Sequence, residues 1–335
     1  MSIETTQEIA ISQEDYELIR DYIHEKCGIY FADNKMYLVK NRLSKRMHEL
    51  GIKNYRDYFY HVKYDTTQKE FAQLMNVITT NETSFFRNEP QLLSFAEEAL
   101  PLTLKEKAKS GKKTIKIWSA GCSTGEEPYT LAIILLEKLR EIKDWKIEII
   151  ANDISEQVLT RARTGIYSGQ TLRNMKSDIL LKYFIKQDEE YRVKPEVKSL
   201  INFSHMNLND IRRSLYHNNF DYIFCRNVMI YFSEEVKKTL VRNFFDALNP
   251  KGYLYIGHAE TLHNISKAFK LVYFKNALVY HKEDVNADSS KESSAGISIR
   301  RPTFLTKNEE DPAAGASRAI DLLSKIKQTQ SVGTK

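Results

Sequence analysis

The sequence predicts an α/β protein: a small all-helical N-terminal domain, then a parallel sheet with helices on both faces. Two patterns predict it. Up to about residue 80, apolar residues recur at helical spacing with no convincing strand. Beyond residue 113, short apolar runs alternate with helical stretches, the pattern of a parallel sheet. The length of 335 residues adds a bound, because it suits about two domains and a sizeable core.

The elements follow in order. Ser12, followed by Gln13, Glu14 and Asp15, opens a helix with its acids at the positive end of the dipole. Tyr16, Ile19, Tyr22 and Ile23 then repeat at helical spacing. A second helix spans Lys35 to Leu50, with Met36, Val39, Leu43, Met47 and Leu50 on its apolar face and Gly51 at its end. A third runs from Tyr55 to Tyr64 and a fourth from Gln68 to Ile78. NETSFFRNEP (81–90) is a polar and aromatic connection, with Pro90 in the first turn of a further helix. After the SGKK loop (110–113) come the strand IKIWSAG, a helix from Glu127 to Arg140, the strand KIEIIANDI and a helix from Ser155. FDYIFCRN, a helix from Ser233 to Leu248, and GYLYIGH continue the alternation. AFKLVYF and ALVYHK, separated by Lys275 and Asn276, read as an antiparallel hairpin. Residues 165–205 interrupt the pattern and read as an inserted subdomain. From Glu283 onward only Phe304 is aromatic, so this tail is expected to be disordered, apart from an amphipathic helix at 317–327. The expected domains are therefore 1–80, 81–282 and the tail 283–335.

Composition excludes several classes. Fifty basic against 44 acidic residues give a net charge of +6, too weak by itself to establish nucleic-acid binding. Cys27, Cys122 and Cys225 lie far apart with no CxxC pair, which rules out a disulfide scaffold and a cysteine zinc site and fits a reducing cytoplasm. The start MSIETTQEIA is acidic and polar, so no secretory signal is expected. No apolar run approaches the roughly 20 residues of a membrane span.

The sharpest chemical signal is IKIWSAGCSTGEEP (115–128), a strand, a turn with Gly121 and Gly125, and a helix opening on Glu126, Glu127 and Pro128. Glycines at such a junction let backbone approach a ligand. The spacing is not GxGxxG, and no Lys-Ser/Thr follows, so a P-loop is excluded. Two acids at the mouth would repel a pyrophosphate and suit a ligand carrying positive charge; as a plain turn, they would simply serve the helix dipole. Asp153 ends the next strand, where an acid takes both hydroxyls of a ribose or else caps the helix near Ser155. FDYIFCRNVMIYF (220–232) brings Arg226 and Asn227 to the carboxyl edge of the sheet. Its lack of an Asn/Asp-Pro-Pro-aromatic run weakens a nucleobase-methylating reading. Tyr231 is either a site residue or a core aromatic. His258 either lines the pocket or caps a sheet edge, Cys122 and Cys225 are small buried residues beside the motifs, and no spacing supports a metal site.

NETSFFR, WSAGCSTGEEPY, ANDISEQVLTRARTGIY, FCRNVMIYF and GYLYIGHAE together resemble the chemotaxis receptor methyltransferases, the CheR family, in that family's order over residues 12–282. The resemblance implies a helical N-terminal domain followed by a Rossmann-like class I methyltransferase domain with a small β subdomain inserted. It implies methyl transfer from S-adenosylmethionine to glutamate side chains of chemoreceptors, giving methyl esters and S-adenosylhomocysteine. Asn81, Thr83 and Arg87 then match cofactor contacts, with Arg87 also near the reacting centre. Glu127, or its neighbour Glu126, matches the acid near the methionine part, with Gly121 in the same cofactor-binding turn. Asp153 matches the ribose acid, Asn207 and Leu208 the adenine segment, Arg226 and Asn227 the post-strand pair, and Tyr231 a tyrosine beside the transferred methyl. No metal is implied.

The basic charge has a location. Residues 35–56 hold Lys35, Lys40, Arg42, Lys45, Arg46, Lys53 and Arg56 against Glu49, a net of +6. By the resemblance this is the helix facing the glutamate-bearing receptor bundle, with Lys40, Arg42, Lys45 and Arg46 as substrate-binding candidates, and the protein is a cytoplasmic monomer recruited to receptor arrays, with no nucleic-acid partner. A glutamate carboxylate is already anionic at neutral pH, so the transfer needs no general base, and a thioether leaving group needs no acid. The competing readings are a methyltransferase of another substrate such as RNA, gripped by the basic helix, and a catalytically idle module that only holds the cofactor. Residues 165–205 leave open whether the subdomain binds a receptor's C-terminal tethering peptide.

Overall fold

The computed structural model describes residues 9–139, 144–210 and 219–284. The expected tail beyond Asp284, its helix at 317–327, and Arg140 lie outside the described residues.

Local caps set the helical start of the chain. The Ser12 hydroxyl accepts the Asp15 N–H at 3.1 Å and opens α1 (Gln13–Cys27). A 3-10 turn (Asp33–Lys35) leads into α2 (Met36–Leu50), and Asn54 caps α3 (Tyr55–Lys63) by accepting the Asp57 N–H. α4 (Lys69–Ile78) follows. Pro90 falls in the first turn of α5 (Glu89–Leu93), as expected. That helix continues through a π-helical stretch (Ser94–Ala99) into α6 (Leu100–Lys109).

The sheet then assembles from β1 (Thr114–Ala120), β2 (Lys146–Asp153), β6 (Ile201–His205), β7 (Phe220–Cys225), β8 (Leu248–Ile256), β9 (Lys270–Tyr273) and β10 (Leu278–His281). Its order is β6-β2-β1-β7-β8-β10-β9. β6, β2, β1, β7 and β8 pair in parallel, while β9 and β10 form the expected antiparallel hairpin. The connecting helices are α7 (Glu126–Leu139), α8 (Glu156–Thr164) and α11 (Glu234–Ala247), the last two capped by Ser155 and Ser233.

The inserted subdomain is a three-stranded antiparallel sheet, ordered β3 (Ile166–Tyr167), β5 (Glu190–Val193), β4 (Phe184–Gln187), with α9 (Ser177–Tyr183) and α10 (Pro195–Lys198). The expected range of 165–205 is too long at its end. Ile201–His205 pairs in parallel with Ile149–Asp153 and belongs to the main sheet. This edge strand lacks the all-apolar run that marked its neighbours, so sequence grouped it with the insertion.

Side chains alternate across the sheet, as strand geometry requires. Ile115, Ile117, Tyr222 and Phe224 face the core under α7 and the Glu89–Lys109 helix. Trp118, Ala120, Ile223 and Cys225 face the opposite way, into a core that also holds Phe244 of α11 and Tyr16, Ile23, Val39 and Leu43 of the N-terminal helices. The helical region therefore joins the apolar cluster on this side of the sheet, with α4 packed on α8 and α1 on the turn at Leu208–Asp210.

Candidate active site

The chain leaves β1 toward β2 and β6 on one side, while β7 and β8 lie on the other. Ligands of open α/β sheets bind in the crevice outside the carboxyl ends of the strands at such a switch point. A cavity of about 230 Å³ opens there. It is lined by residues from the ends of β1, β2 and β7, by the segment after α4, and by Cys27, Ile29 and Phe31 from the exit of α1. The helical region is thus a wall of the cavity. The Tyr30 N–H donates to Tyr231 O at 2.8 Å and Ile29 bridges Phe232, which joins that wall to the segment after β7.

Every cofactor-binding and catalytic candidate lines this cavity: Asn81, Thr83, Arg87, Gly121, Glu127, Asp153, Asn207, Leu208, Arg226, Asn227 and Tyr231. Asp153 sits at the end of β2 and is 8% exposed. One carboxylate oxygen accepts the Ser123 N–H at 2.8 Å and the other the Ser155 N–H at 3.0 Å. Each oxygen keeps a further lone pair for a ligand. The cap of α8 is Ser155 rather than Asp153: its hydroxyl accepts the Val158 N–H. Burial pushes the Asp153 carboxyl up, against these N–H groups.

Glu127 accepts the Ser119 hydroxyl at 2.8 Å and stands 3.4 Å from Arg226 Nη1. Its carboxyl too is raised by burial, which the Arg226 and Arg87 charges only partly oppose. Glu126 does not line the cavity. It is 1% exposed and takes the Thr124 hydroxyl at 2.6 Å. The geometry thus separates two adjacent acids that the motif could not. Arg226 also donates to Arg87 O at 2.6 Å, while its Nε has no partner among the described residues. Burial pulls the Arg226 guanidinium below its usual value. Arg87 is half-buried and donates to Glu82 O at 3.1 Å.

Gly121 has φ +78°, and a Cβ there would lie 2.5 Å from Val228 Cγ2; at Gly125 it would meet Ala162 Cβ at 2.9 Å. Close protein packing requires both glycines, and Gly121 also lines the cavity. Asn207 spends its amide on Lys26 O and its oxygen on the Asn209 N–H, tying the segment after β6 to the end of α1.

The four substrate-binding candidates on α2 divide. Arg46 grips Glu70 of α4 with two nitrogens, at 2.6 and 3.0 Å, and Arg42 donates to Ile78 O and the Thr80 hydroxyl. Both guanidinium groups are turned onto α4, so the +6 of this region is not all outward charge. Lys40 is half-buried, and Lys45 is exposed. His258 is exposed and does not line the cavity; Cys122 does, and Cys225 does not. Among the described residues no group of three or more His, Cys, Asp or Glu side chains could hold a metal, and no helix is long and apolar enough to cross a membrane.

Sequence reasoning missed the α1 exit as cavity wall, the Ser119 hydroxyl on Glu127, and Glu260. The last accepts main-chain N–H groups from the segment after β7. It lies in the quoted GYLYIGHAE run, but nothing local marks an acid that serves backbone 30 residues away.

Comparison with known proteins places the chain among relatives. Residues 14–79 match the model of the CheR methyltransferase all-alpha domain, and residues 81–278 that of the CheR methyltransferase SAM binding domain. A protein of Vibrio cholerae named chemotaxis protein methyltransferase 2 is 35% identical over 276 residues, covering 82% of this chain and 95% of that one. The chemotaxis protein methyltransferase 1 of Pseudomonas aeruginosa is 35% identical over 274 residues, covering 79% and 97%. The chemotaxis protein methyltransferase of Escherichia coli is 33% identical over 274 residues, covering 80% and 92%.

Proposed function

The chain belongs to the CheR methyltransferase family, and from that premise we propose that it methylates glutamate side chains of chemoreceptors, using S-adenosylmethionine and forming methyl esters. The observation that carries this reading is the pair of buried carboxylates, Glu127 and Asp153, facing one cavity with their carboxyls raised by burial. Arg226 and Arg87 offset only part of the burial cost at Glu127, and backbone N–H groups only part of it at Asp153, so further positive charge in the cavity would favour both ionised forms. S-adenosylmethionine fits that donor set, since it carries a sulfonium, an ammonium and ribose hydroxyls. When bound, it supplies an electrophilic methyl group.

The chain's own residues then have these roles. Asp153 holds hydroxyls through its remaining lone pairs, and Glu127, steadied by Ser119 and Arg226, holds positive charge. Arg87 orients a carboxylate, whether of the substrate or of the cofactor, without burying it in a tight ion pair that would blunt a nucleophile. Tyr231 presents a polar oxygen at the reacting end. Asn81, Thr83, Asn207, Leu208 and Asn227 shape the walls. The nucleophile arrives ionised, so catalysis rests on alignment and on exclusion of water.

The substrate-facing surface in this reading is the helical region, with Lys45 as its exposed candidate charge, steering the protein to an acidic helical bundle. The domains are the helical region 1–80 and the transferase region 81–282, acting as a monomer in the cytoplasm at receptor arrays. The test incubates the protein with methyl-labelled S-adenosylmethionine and chemoreceptor-bearing membranes. Label released as methanol by mild base supports a glutamate ester. Base-stable label, or label on RNA, would overturn the reading.

A further inference from the structure

The segment that leaves β7 carries Asn227 and Tyr231 into the cavity wall, yet Asn227 adopts φ +60°. A non-glycine residue in that region stores strain that its surroundings must hold. At Asn227 and Ile230 the main chain is held by one side chain. Glu260, in the turn after β8, accepts the Gly257 N–H at 2.6 Å and the Asn227 N–H at 2.9 Å on one oxygen, and the Ile230 N–H at 3.0 Å on the other. A carboxylate is an acceptor only, and its bonds to N–H groups are charge-assisted, so it can satisfy all three. The approach depends on Gly257: a Cβ there would lie 2.7 Å from Glu260 Oε2 and 2.9 Å from Asn227 N. Glu260 itself does not line the cavity.

We infer that Glu260 is a positioning residue for methyl transfer, fixing the Asn227–Tyr231 segment against the cavity by gathering main-chain N–H groups from the ends of β7 and β8. The inference rests on the proposed roles of Asn227 and Tyr231. A glutamine at position 260 offers one acceptor oxygen in place of two, and its NH2 would face an N–H. An aspartate keeps the charge but is one methylene shorter, so it cannot reach all three donors.

The test uses the full chain carrying E260Q or E260D. Hydrogen exchange read by mass spectrometry should speed up in the peptide spanning 226–232 of both variants and stay unchanged in α2 and α11. Turnover on receptor membranes should fall roughly ten- to a hundredfold, the loss expected when reacting groups shift by about an ångström. The fall in affinity for S-adenosylhomocysteine, measured by calorimetry, should be smaller. Adding Y231F to E260Q should cost less than the product of the two single losses, because both act through one segment. Unchanged exchange at 226–232, or wild-type turnover in a folded E260D, overturns the inference, and so does full additivity with Y231F. If E260Q does not fold, E260D carries the test. Failure of the wild type to bind S-adenosylmethionine would instead sink the proposed function, and the exchange result would still decide what Glu260 holds.

Discussion

Tyr231 is half-buried in the cavity wall, with its carbonyl oxygen held by the Tyr30 N–H. Its ring is therefore delivered on a backbone fixed from outside the sheet, and removal of the hydroxyl alone leaves that frame intact. Tyr231→Phe is expected to lower turnover more than cofactor affinity; equal loss in both would argue against a part in positioning the transfer. Glu127 and Asp153 make a different prediction. Both carboxyls are raised by burial, so the free protein loses stability as pH climbs through their raised values, and the loss is absent at pH below the ordinary carboxylate range. A cationic ligand favours the ionised forms. Binding of S-adenosylmethionine should then release protons at a pH just above the ordinary carboxylate range, and affinity should rise with pH across that window. Calorimetry in two buffers of different ionisation heat measures the protons, and buffer-independent heats at that pH would count against the assignment.

At the scale of elements, α2 shows how a charge pattern misleads. A run of basic residues on one helix covers every direction around the helix, because side chains three or four apart share a face and the others do not. Arg46 lies on the face toward α4, where Glu70 is 6% exposed and also takes the Tyr58 hydroxyl at 3.2 Å. Arg46→Ala leaves that carboxylate buried without its charge partner and should cost about 3 kcal/mol of stability. Lys45→Glu, on an exposed position, should change stability by no more than about 0.5 kcal/mol, yet slow receptor methylation most strongly at low salt. Urea unfolding and methyl-transfer assays read the two effects. A K45E protein that methylates receptors at the normal rate would remove Lys45 from the substrate surface.

Helix boundaries, by contrast, were legible because they depend on neighbours in sequence. Ser12, Asn54, Ser155 and Ser233 each accept an N–H three residues on. Carboxyl-edge positions such as Asp153, Arg226 and Asn227 were legible too, since strand ends can be read from the apolar runs before them. The course of β6, the inward turn of Arg42 and Arg46, and the grip of Glu260 depend on partners distant along the chain, and no local pattern encodes them.

The whole molecule is organised by its shared core. Trp118 of β1 packs 5.3 Å from the Phe244 ring of α11, in the same apolar cluster as Tyr16, Ile23 and Leu43 of the helical region. Removing the helices would expose to water the part of that cluster they cover. Helical region and sheet should therefore unfold in a single cooperative transition, with tryptophan fluorescence and helical circular dichroism changing at the same denaturant concentration. Two separated transitions would show that the regions are independent units.

The cavity wall also holds two thiols, Cys27 and Cys122, each at most 2% exposed. Burial pushes Cys27 up to about 12 and Cys122 well above its ordinary value, so neither offers much thiolate for alkylation or oxidation. Their modification becomes a clock for transient opening of the site. An alkylating reagent labels them only as fast as the cavity wall opens around them, and an occupant of the cavity stops that clock without any transfer chemistry taking place.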